Sequence, residues 1–284
     1  MIALSTGSLY SYGTARAFEL AKEAGFEGVE VLIDQRWDTR QAGYLNRLKE
    51  RYAMPIASVH APFFTGLPGW PDKGVESCKQ AVALAEAVGA RTVVTHLPMR
   101  MAHIQVTWPA LRPKPFYLTY PWTADKEHLA WLANGLHEFQ ATTNVTIAVE
   151  NLPYRRRWFG LFKSIWHHNT PDDWAGLEHW ALDTTHIGTW GFDLLALYER
   201  LKGRLAHVHL SNHNPREKRE EHRLLTDGHL PLAELLQRLR RDKYQGVTTC
   251  ELDPEPLGAS DENTVRANLR ATYEFCRERF GDGE

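Results

Sequence analysis

Seven short apolar runs in this chain each end in a histidine or carboxylate motif. In chain order, the motif residues are His60 in PIASVH, His96 in RTVVTH, Glu150 in TIAVE, Asp183 and His186 in WALDTTH, His209 in LAHVH, His222 in the looser REEH and Glu251 in GVTTCE. Imidazoles and carboxylates are ligands of zinc, manganese, iron and cobalt, and no thiolate stands at these run ends. The chemistry that these residue types indicate is therefore that of a divalent-metal site.

One subset of these residues is sufficient to hold a single cation. It consists of Glu150, Asp183, His209 and Glu251, which supply three carboxylates and one imidazole nitrogen. A lone histidine at the end of an apolar run is usually a hydrogen-bonded core residue rather than a ligand. Because the placement is repeated seven times, that explanation does not account for the whole set.

The elements that position these residues follow from the same runs, because parallel strands deliver their last side chains to one edge of a sheet. The predicted strands are 2–5, 28–33, 55–60, 91–96, 146–150, 180–184, 205–210 and 246–252. The predicted helices are 14–24, 39–52, 75–88, 128–140, 172–177, 193–201, 232–241 and 262–280. Gly25 and Gly89 are expected to end the first and third helices.

Eight strand-helix units in 284 residues predict a (β/α)8 TIM barrel that forms a single domain over residues 1–284. An open nucleotide-binding sheet is less favoured, because the first strand is not followed by GxGxxG or GxxxxGK[ST]. In a closed barrel the carboxyl ends of the strands converge on one mouth. The metal-capable side chains are therefore expected to meet there.

Composition sets the broad class of the protein. The chain is 43% hydrophobic and 24% charged with a formal net charge of -2, which gives no global reason to expect nucleic acid as a partner. Its three cysteines form no CxxC pair, as is typical of a reducing compartment. The sequence has neither the pattern of a signal peptide nor an apolar stretch long enough for a membrane span, so we expect a cytoplasmic protein.

Two connections are too long for simple turns and are expected to lie over the mouth as long loops at the carboxyl-terminal face. They are 99–122, which contains Trp108, and 152–171, which contains Arg155, Arg156 and Arg157. Each fits either a lid or a subunit interface in a homo-oligomer. The arginines would favour an anionic substrate, although such a charge run is usually a solvated face. Aromatic side chains such as Trp108 could cover the apolar face of a sugar or stack on an unpaired base.

Several motifs together resemble the xylose isomerase-like TIM-barrel superfamily. They are SVHAP, VVTH, VEN, LDTTHIGTWGFD, HVHLSN, EHRLLTDG and CEL, and they extend over nearly the whole chain. The sugar epimerase branch implies one metal held by Glu150, Asp183, His209 and Glu251. It also implies that Glu150 and Glu251 act as paired acid and base and that His186 contacts the substrate. We add His60, Arg155, Arg156 and Trp108 as substrate-binding candidates.

The endonuclease IV branch of the same superfamily implies up to three zinc ions. The further ligand candidates that its larger set implies are His60, His96, His186, Glu220 and His222. Two departures weaken this resemblance. Glu220 stands where the family has an aspartate, and HLSN and TDG stand where it has HLNDS and GEG.

The favoured interpretation is an isomerase or epimerase of a small, possibly anionic, sugar or sugar derivative that uses one divalent cation (manganese, cobalt, zinc, iron or magnesium). In this chemistry a metal polarises two substrate oxygens while a carboxylate on each face moves the proton. The alternative is a zinc-dependent endonuclease acting at abasic DNA. Only under this alternative do we expect a nucleic-acid partner. A barrel kept as a binding or scaffold protein is least favoured, because all the acid, base and ligand residues are present.

Overall fold

The computed structural model describes residues 1–63, 65–98, 126–154 and 166–280, together with the backbone of 101–106 and 116–121. Eight of its strands belong to one parallel sheet. They are β1 Ile2–Ser5, β2 Gly28–Leu32, β3 Ile56–His60, β4 Thr92–Thr95, β7 Thr146–Glu150, β8 Trp180–Asp183, β9 Leu205–Leu210 and β10 Val247–Cys250. The other two, β5 Met101–Val106 and β6 Phe116–Pro121, pair antiparallel with each other.

The parallel sheet closes on itself. Its order is β1-β2-β3-β4-β7-β8-β9-β10, and β10 pairs with β1 again through the register Ile2 to Thr248. This closure confirms the predicted TIM barrel, and all eight predicted strands are present. Closure also brings the carboxyl ends of the strands to one mouth.

Helices follow the barrel strands around the outside. They are α1 Thr14–Ala24, α2 Ala42–Tyr52, α3 Gly74–Val88, α4 Lys126–Ala130, α5 Leu136–Gln140, α6 Pro171–Ala175, α7 Thr184–Trp190, α8 Leu194–Leu201, α9 Leu232–Arg241, α10 Pro254–Leu257 and α11 Glu262–Phe280. A single π-helical turn, Trp131–Gly135, joins α4 to α5. Gly25 (φ 101°) and Gly89 (φ 76°) adopt the left-handed conformation that ends α1 and α3, as predicted.

Local structure differs from the sequence prediction at several places. The helix expected from residue 39 begins at Ala42, because Gln41 is extended (φ -107°, ψ 95°) and separates it from the 3-10 turn Trp37–Arg40. The long connection 99–122 contains the β5–β6 hairpin. An unpredicted helix, α7, begins directly after β8, because the Asp183 carboxylate caps its first turn.

Small apolar side chains fill the barrel beneath its mouth. Val94, Ala148 and Ala181 pack together in the interior, with Ala206 against them. Alternate side chains of a strand point to the same face, and the first three lie two residues before His96, Glu150 and Asp183. The candidate site residues therefore form the next layer of the interior, toward the mouth. Among the described residues, no helix is long and apolar enough to cross a membrane.

Candidate active site

Four side chains from neighbouring strand ends meet at the mouth of the barrel. Glu150, Asp183, His209 and Glu251 each bring one possible ligand atom to a group in which all four atoms lie within 4.8 Å of one another. His209 Nδ1 is central, at 3.2 Å from Glu150 Oε1, 3.3 Å from Glu251 Oε2 and 4.0 Å from Asp183 Oδ2. The structure thus brings together the four residues that the sequence selected as a single set.

The position of Asp183 follows from its place between β8 and α7. Its Oδ1 accepts a hydrogen bond of 2.8 Å from the backbone N–H of His186. The side chain of Asn151 secures its backbone, accepting from Asp183 N–H at 2.9 Å and donating to the Asp183 carbonyl at 3.0 Å. The other oxygen, Oδ2, is buried and has no hydrogen-bond partner among the described residues.

This unpaired oxygen is the observation that tests the fit of a metal ion. A buried carboxylate oxygen without a partner is costly, and a cation would satisfy it. Three carboxylates and one imidazole suit a divalent ion of the borderline or hard type. The residues present therefore fit a divalent cation held by Glu150, Asp183, His209 and Glu251.

Two histidines from β3 and the end of β4 lie against the other oxygen of Glu150. His96 Nε2 is 2.7 Å and His60 Nε2 is 3.4 Å from Glu150 Oε2. Their rings meet edge to face with centroids 4.9 Å apart. Because His60 Nδ1 donates to the carbonyl of Ala61 at 2.7 Å, its Nε2 is the nitrogen that is directed to Glu150.

A second pair of histidines lies beside Asp183. Ring centroids of His186 and His222 are 5.4 Å apart, and one possible ligand atom from each lies within 4.8 Å of one from Asp183. His186 Nδ1 donates to the carbonyl of Asn151 at 2.9 Å. The backbone of His222 is in the left-handed region (φ 50°), and its N–H donates to Thr185 Oγ1 at 3.2 Å.

Glu220 is the candidate ligand that the structure does not bring to these groups. Its side chain is 53% exposed, and its Oε2 lies 3.5 Å from His213 Nε2. The Glu220 carbonyl accepts from Asn214 N–H at 2.8 Å, which closes the 214–220 loop. Glu220 is therefore on the rim of the site, next to a histidine that the sequence analysis did not select.

Two further buried groups were missed by the sequence analysis. Glu30 in β2 and His207 in β9 are both 0% exposed, and both lie next to His209. A signal was available for His207, because it stands two residues before His209 and so shares its face of the strand. The charged residue in the otherwise apolar strand GVEVL was the corresponding signal for Glu30.

Burial and neighbouring charges shift the pKa values of the cluster in opposite directions. Burial raises the pKa of Glu150, but His96 and His209 outweigh it and hold that pKa well below its ordinary value. Burial lowers the pKa of His209, but Glu30, Glu251 and Glu150 outweigh it and raise that pKa well above the ordinary value. For His222, Glu251 and Asp183 likewise outweigh burial and raise the pKa to about 9.

Asp183 behaves differently from Glu150. Burial raises its pKa, and the nearby His186 and His222 do not compensate. These shifts favour the protonated ring of His209 and the ionised carboxylate of Glu150. A bound cation would replace the His209 proton as the positive charge beside these carboxylates.

A cavity of about 590 Å³ opens over the cluster. Its lining includes the apolar and aromatic residues Phe63, Leu152, Pro153 and Trp166 and the charged segment 218–222. Its size and mixed lining fit a small polar molecule that also presents an apolar face. Trp108, Arg155, Arg156 and Arg157 lie outside the described residues, so their predicted substrate contacts stay predictions.

Comparison with protein families gives a match over most of the chain. The model of the xylose isomerase-like TIM barrel, a family also called AP endonuclease 2, matches residues 18–275. An uncharacterised protein of Mycobacterium leprae is 27% identical over 295 residues, covering 97% of this chain and 96% of its own.

Two solved structures illustrate the structural similarity. A 3-keto-D-glucoside 4-epimerase from E. coli has a TM-score of 0.65 at 17% identity and covers 98% of both chains. A D-allulose 3-epimerase from Methylomonas sp., in complex with D-allulose, has a TM-score of 0.65 at 16% identity and covers 98% of this chain and 96% of its own. At these identities the similarity extends to the fold alone.

Proposed function

Because the chain belongs to the xylose isomerase-like TIM-barrel family, we propose that it is an isomerase or epimerase of a small sugar or sugar derivative that depends on one divalent cation. The family hosts more than one chemistry, so the site has to support the choice. The sugar epimerases among its structural neighbours make a sugar substrate the first class to test.

One observation carries this proposal. Glu150 and Glu251 approach the same atom, His209 Nδ1, at 3.2 and 3.3 Å from β7 and the end of β10, two strands of the mouth that β8 and β9 separate. Two carboxylates that flank one point can serve as a base on one face of a substrate carbon and an acid on the other. The catalytic residues in this proposal are therefore Glu150 and Glu251.

Glu150, Asp183, His209 and Glu251 would hold the cation, for which manganese, cobalt, zinc, iron and magnesium are candidates. When bound, a divalent ion polarises the carbonyl and neighbouring hydroxyl of the sugar and so acidifies the carbon between them. One glutamate then removes the proton from that carbon. The other glutamate returns a proton, and the face from which it does so sets the stereochemical outcome.

The surrounding residues have supporting roles in this proposal. His60 and His186 line the cavity and would orient sugar hydroxyls, and Phe63 and Trp166, which also line it, would exclude water. His96 is 2.7 Å from Glu150 Oε2 and would hold that carboxylate in place between proton transfers. Arg155 and Arg156 would select anionic sugars if their guanidinium groups face the cavity.

The test is a proton-exchange assay. Metal-free protein is reloaded with each candidate cation and incubated in deuterium oxide with a panel of ketoses, keto-glycosides and sugar acids. We expect one cation to support epimerisation or isomerisation, with solvent deuterium incorporated at the reacting carbon. Failure of every cation and every sugar class to exchange that hydrogen would remove the proposal.

A second candidate function is metal-dependent cleavage of DNA at abasic sites. It is favoured by the extra histidines, since His60, Glu150 and His209 form one further possible metal group and Asp183, His186 and His222 another. The net charge of -2 and the rim position of Glu220 count against it. Cleavage of an abasic-site duplex by protein carrying about three zinc ions per chain would replace the sugar proposal with this one.

The proposal also includes the cellular compartment in which the enzyme works. Cys78, Cys250 and Cys276 are all free and buried, and Cys250 Sγ and Cys276 Sγ lie 3.7 Å apart without a bond. Adjacent unbonded thiols favour a reducing environment. We therefore propose that the enzyme works in the cytoplasm.

A further inference from the structure

Glu30 is a fully buried carboxylate that the proposed reaction does not use. It lies in the middle of β2, on the interior face of the barrel, and is 0% exposed. Removing a carboxylate from water is costly unless its partners compensate. The partners of Glu30 therefore indicate what this buried charge does.

The two oxygens of Glu30 have different partners. Oε2 accepts a hydrogen bond of 2.7 Å from Ser58 Oγ and lies 3.1 Å from His207 Nε2. Oε1 is 2.9 Å from His209 Nε2. Ser58 in β3 and His207 in β9 thus fix the carboxylate from two sides, and its remaining oxygen is directed at His209.

The ring of His209 connects Glu30 to the mouth of the barrel. Its Nε2 faces Glu30, and its Nδ1 faces Glu150 and Glu251. A carboxylate can only accept, so the nitrogen beside Glu30 carries the hydrogen. Nδ1 also faces carboxylates, so both nitrogens of the metal-free ring have acceptors beside them. Because Glu30 holds the hydrogen on Nε2, Nδ1 is the nitrogen whose lone pair is available to a cation.

We infer that Glu30 is a positioning residue that fixes the orientation and tautomer of His209, so that Nδ1 is presented to the cation. The inference rests on the proposed metal site. Hydrogen bonding of a ligand histidine to a carboxylate orients the ring and increases its basicity, and loss of such a partner typically weakens metal binding about 10- to 100-fold. Ser58 and His207 support the arrangement by holding Glu30.

The test compares Mn²⁺ and Co²⁺ binding by calorimetry to the metal-free forms of three chains. Glu30→Gln keeps the shape of the side chain but removes its charge, and we expect affinity to fall about 10- to 100-fold. We also expect the visible absorption bands of the Co²⁺ form to change, because the imidazole is less firmly oriented.

Asp34→Asn is the matched control. Asp34 is also a buried carboxylate just beyond β2, but its ion-pair partner is Arg36. We expect this variant to lose stability while its metal affinity and Co²⁺ spectrum stay unchanged. A purely structural role for Glu30 would make Glu30→Gln behave in the same way, and that result would overturn the inference.

Ser58→Ala covers the case in which Glu30→Gln does not fold. It removes the hydrogen bond to Glu30 Oε2 and should weaken metal binding by less than the full loss of Glu30. Unchanged affinity and an unchanged Co²⁺ spectrum in Ser58→Ala would then overturn the inference. If the unaltered chain bound neither ion, the proposed metal-dependent function would fail as well, whereas equal binding by the unaltered chain and Glu30→Gln removes only the role of Glu30.

Discussion

The barrel interior and the outer surface of the protein contain charged pairs of nearly the same length in opposite environments. Inside, His209 Nε2 and Glu30 Oε1 are 2.9 Å apart and both side chains are 0% exposed. On the surface, Arg266 Nη2 and Glu262 Oε1 in α11 are 3.0 Å apart and both are more than one-third exposed. Solvent screens the outer pair but not the inner one.

The difference shows that distance alone does not indicate function. The surface pair is extended by Arg16 and Glu23, which join α1 to α11 in a network that water can reach. The interior pair belongs to a cluster in which each charge changes the pKa of its neighbours. In that cluster one oxygen of Asp183 has no hydrogen-bond partner in the described part of the chain. Groups held in that way are candidates for chemistry rather than for stability.

The largest expected effect comes from removing an interior acid-base group. Glu251→Gln keeps the side-chain shape but cannot transfer a proton, so turnover on the identified sugar should fall by about 10²- to 10⁴-fold. Steady-state kinetics of the reloaded enzyme measure this effect. Glu255→Gln is the control, because Glu255 is on the same segment but pairs with Arg219 at 2.8 Å on the surface. Equal turnover of Glu251→Gln and Glu255→Gln would show that Glu251 takes no part in proton transfer.

The next effect concerns a ligand that is not an acid-base group. Asp183→Asn replaces the carboxylate that holds the unpaired oxygen with an amide. We therefore expect Mn²⁺ affinity to fall by more than the roughly 10- to 100-fold that is typical when a residue supporting a ligand is lost. Calorimetric titration of the metal-free protein measures the change. The stabilisation by Mn²⁺ in a thermal melt should disappear in parallel. A variant that still melts at a higher temperature with Mn²⁺ would exclude Asp183 from the ligand set.

A smaller effect should appear in the pH dependence of metal binding. Glu30, Glu251 and Glu150 raise the pKa of metal-free His209 well above its ordinary value, against the effect of burial, and so favour the protonated ring. A cation needs the Nδ1 lone pair, so binding releases a proton and the apparent affinity falls as the pH is lowered. Titrations in two buffers with different ionisation enthalpies count the released protons. A metal affinity independent of pH from 6 to 8 would contradict the geometry proposed for His209.

The smallest effect is expected for the surface pair. Glu262→Gln removes the partner of Arg16 and Arg266, but solvent screens these charges. Turnover and Mn²⁺ affinity should match those of the unaltered chain, and a thermal melt should show little or no change. A loss of metal affinity in Glu262→Gln would show that the surface network and the interior cluster are energetically coupled.

The sequence predicted the fold well because each barrel strand is a local pattern. Apolar β-branched runs such as RTVVTH and TIAVE are bounded by polar or glycine-containing segments, and their lengths are those of buried parallel strands. The candidate ligands were found for the same reason, since they stand at the ends of those runs. Hairpin β5–β6 was not predicted, because the proline- and aromatic-rich segment 99–122 lacks a clear alternation.

The set of side chains that can reach the mouth follows from the local sequence pattern. Their arrangement there depends on tertiary structure: Glu30 and His207 share the cluster, Asp183 caps α7, and Glu220 lies beside His213. These facts depend on closure between β10 and β1 and on loop backbone angles, which join residues far apart in the chain. Periodicity reports the face on which a side chain lies, but its partners across a closed barrel are fixed only when the barrel forms.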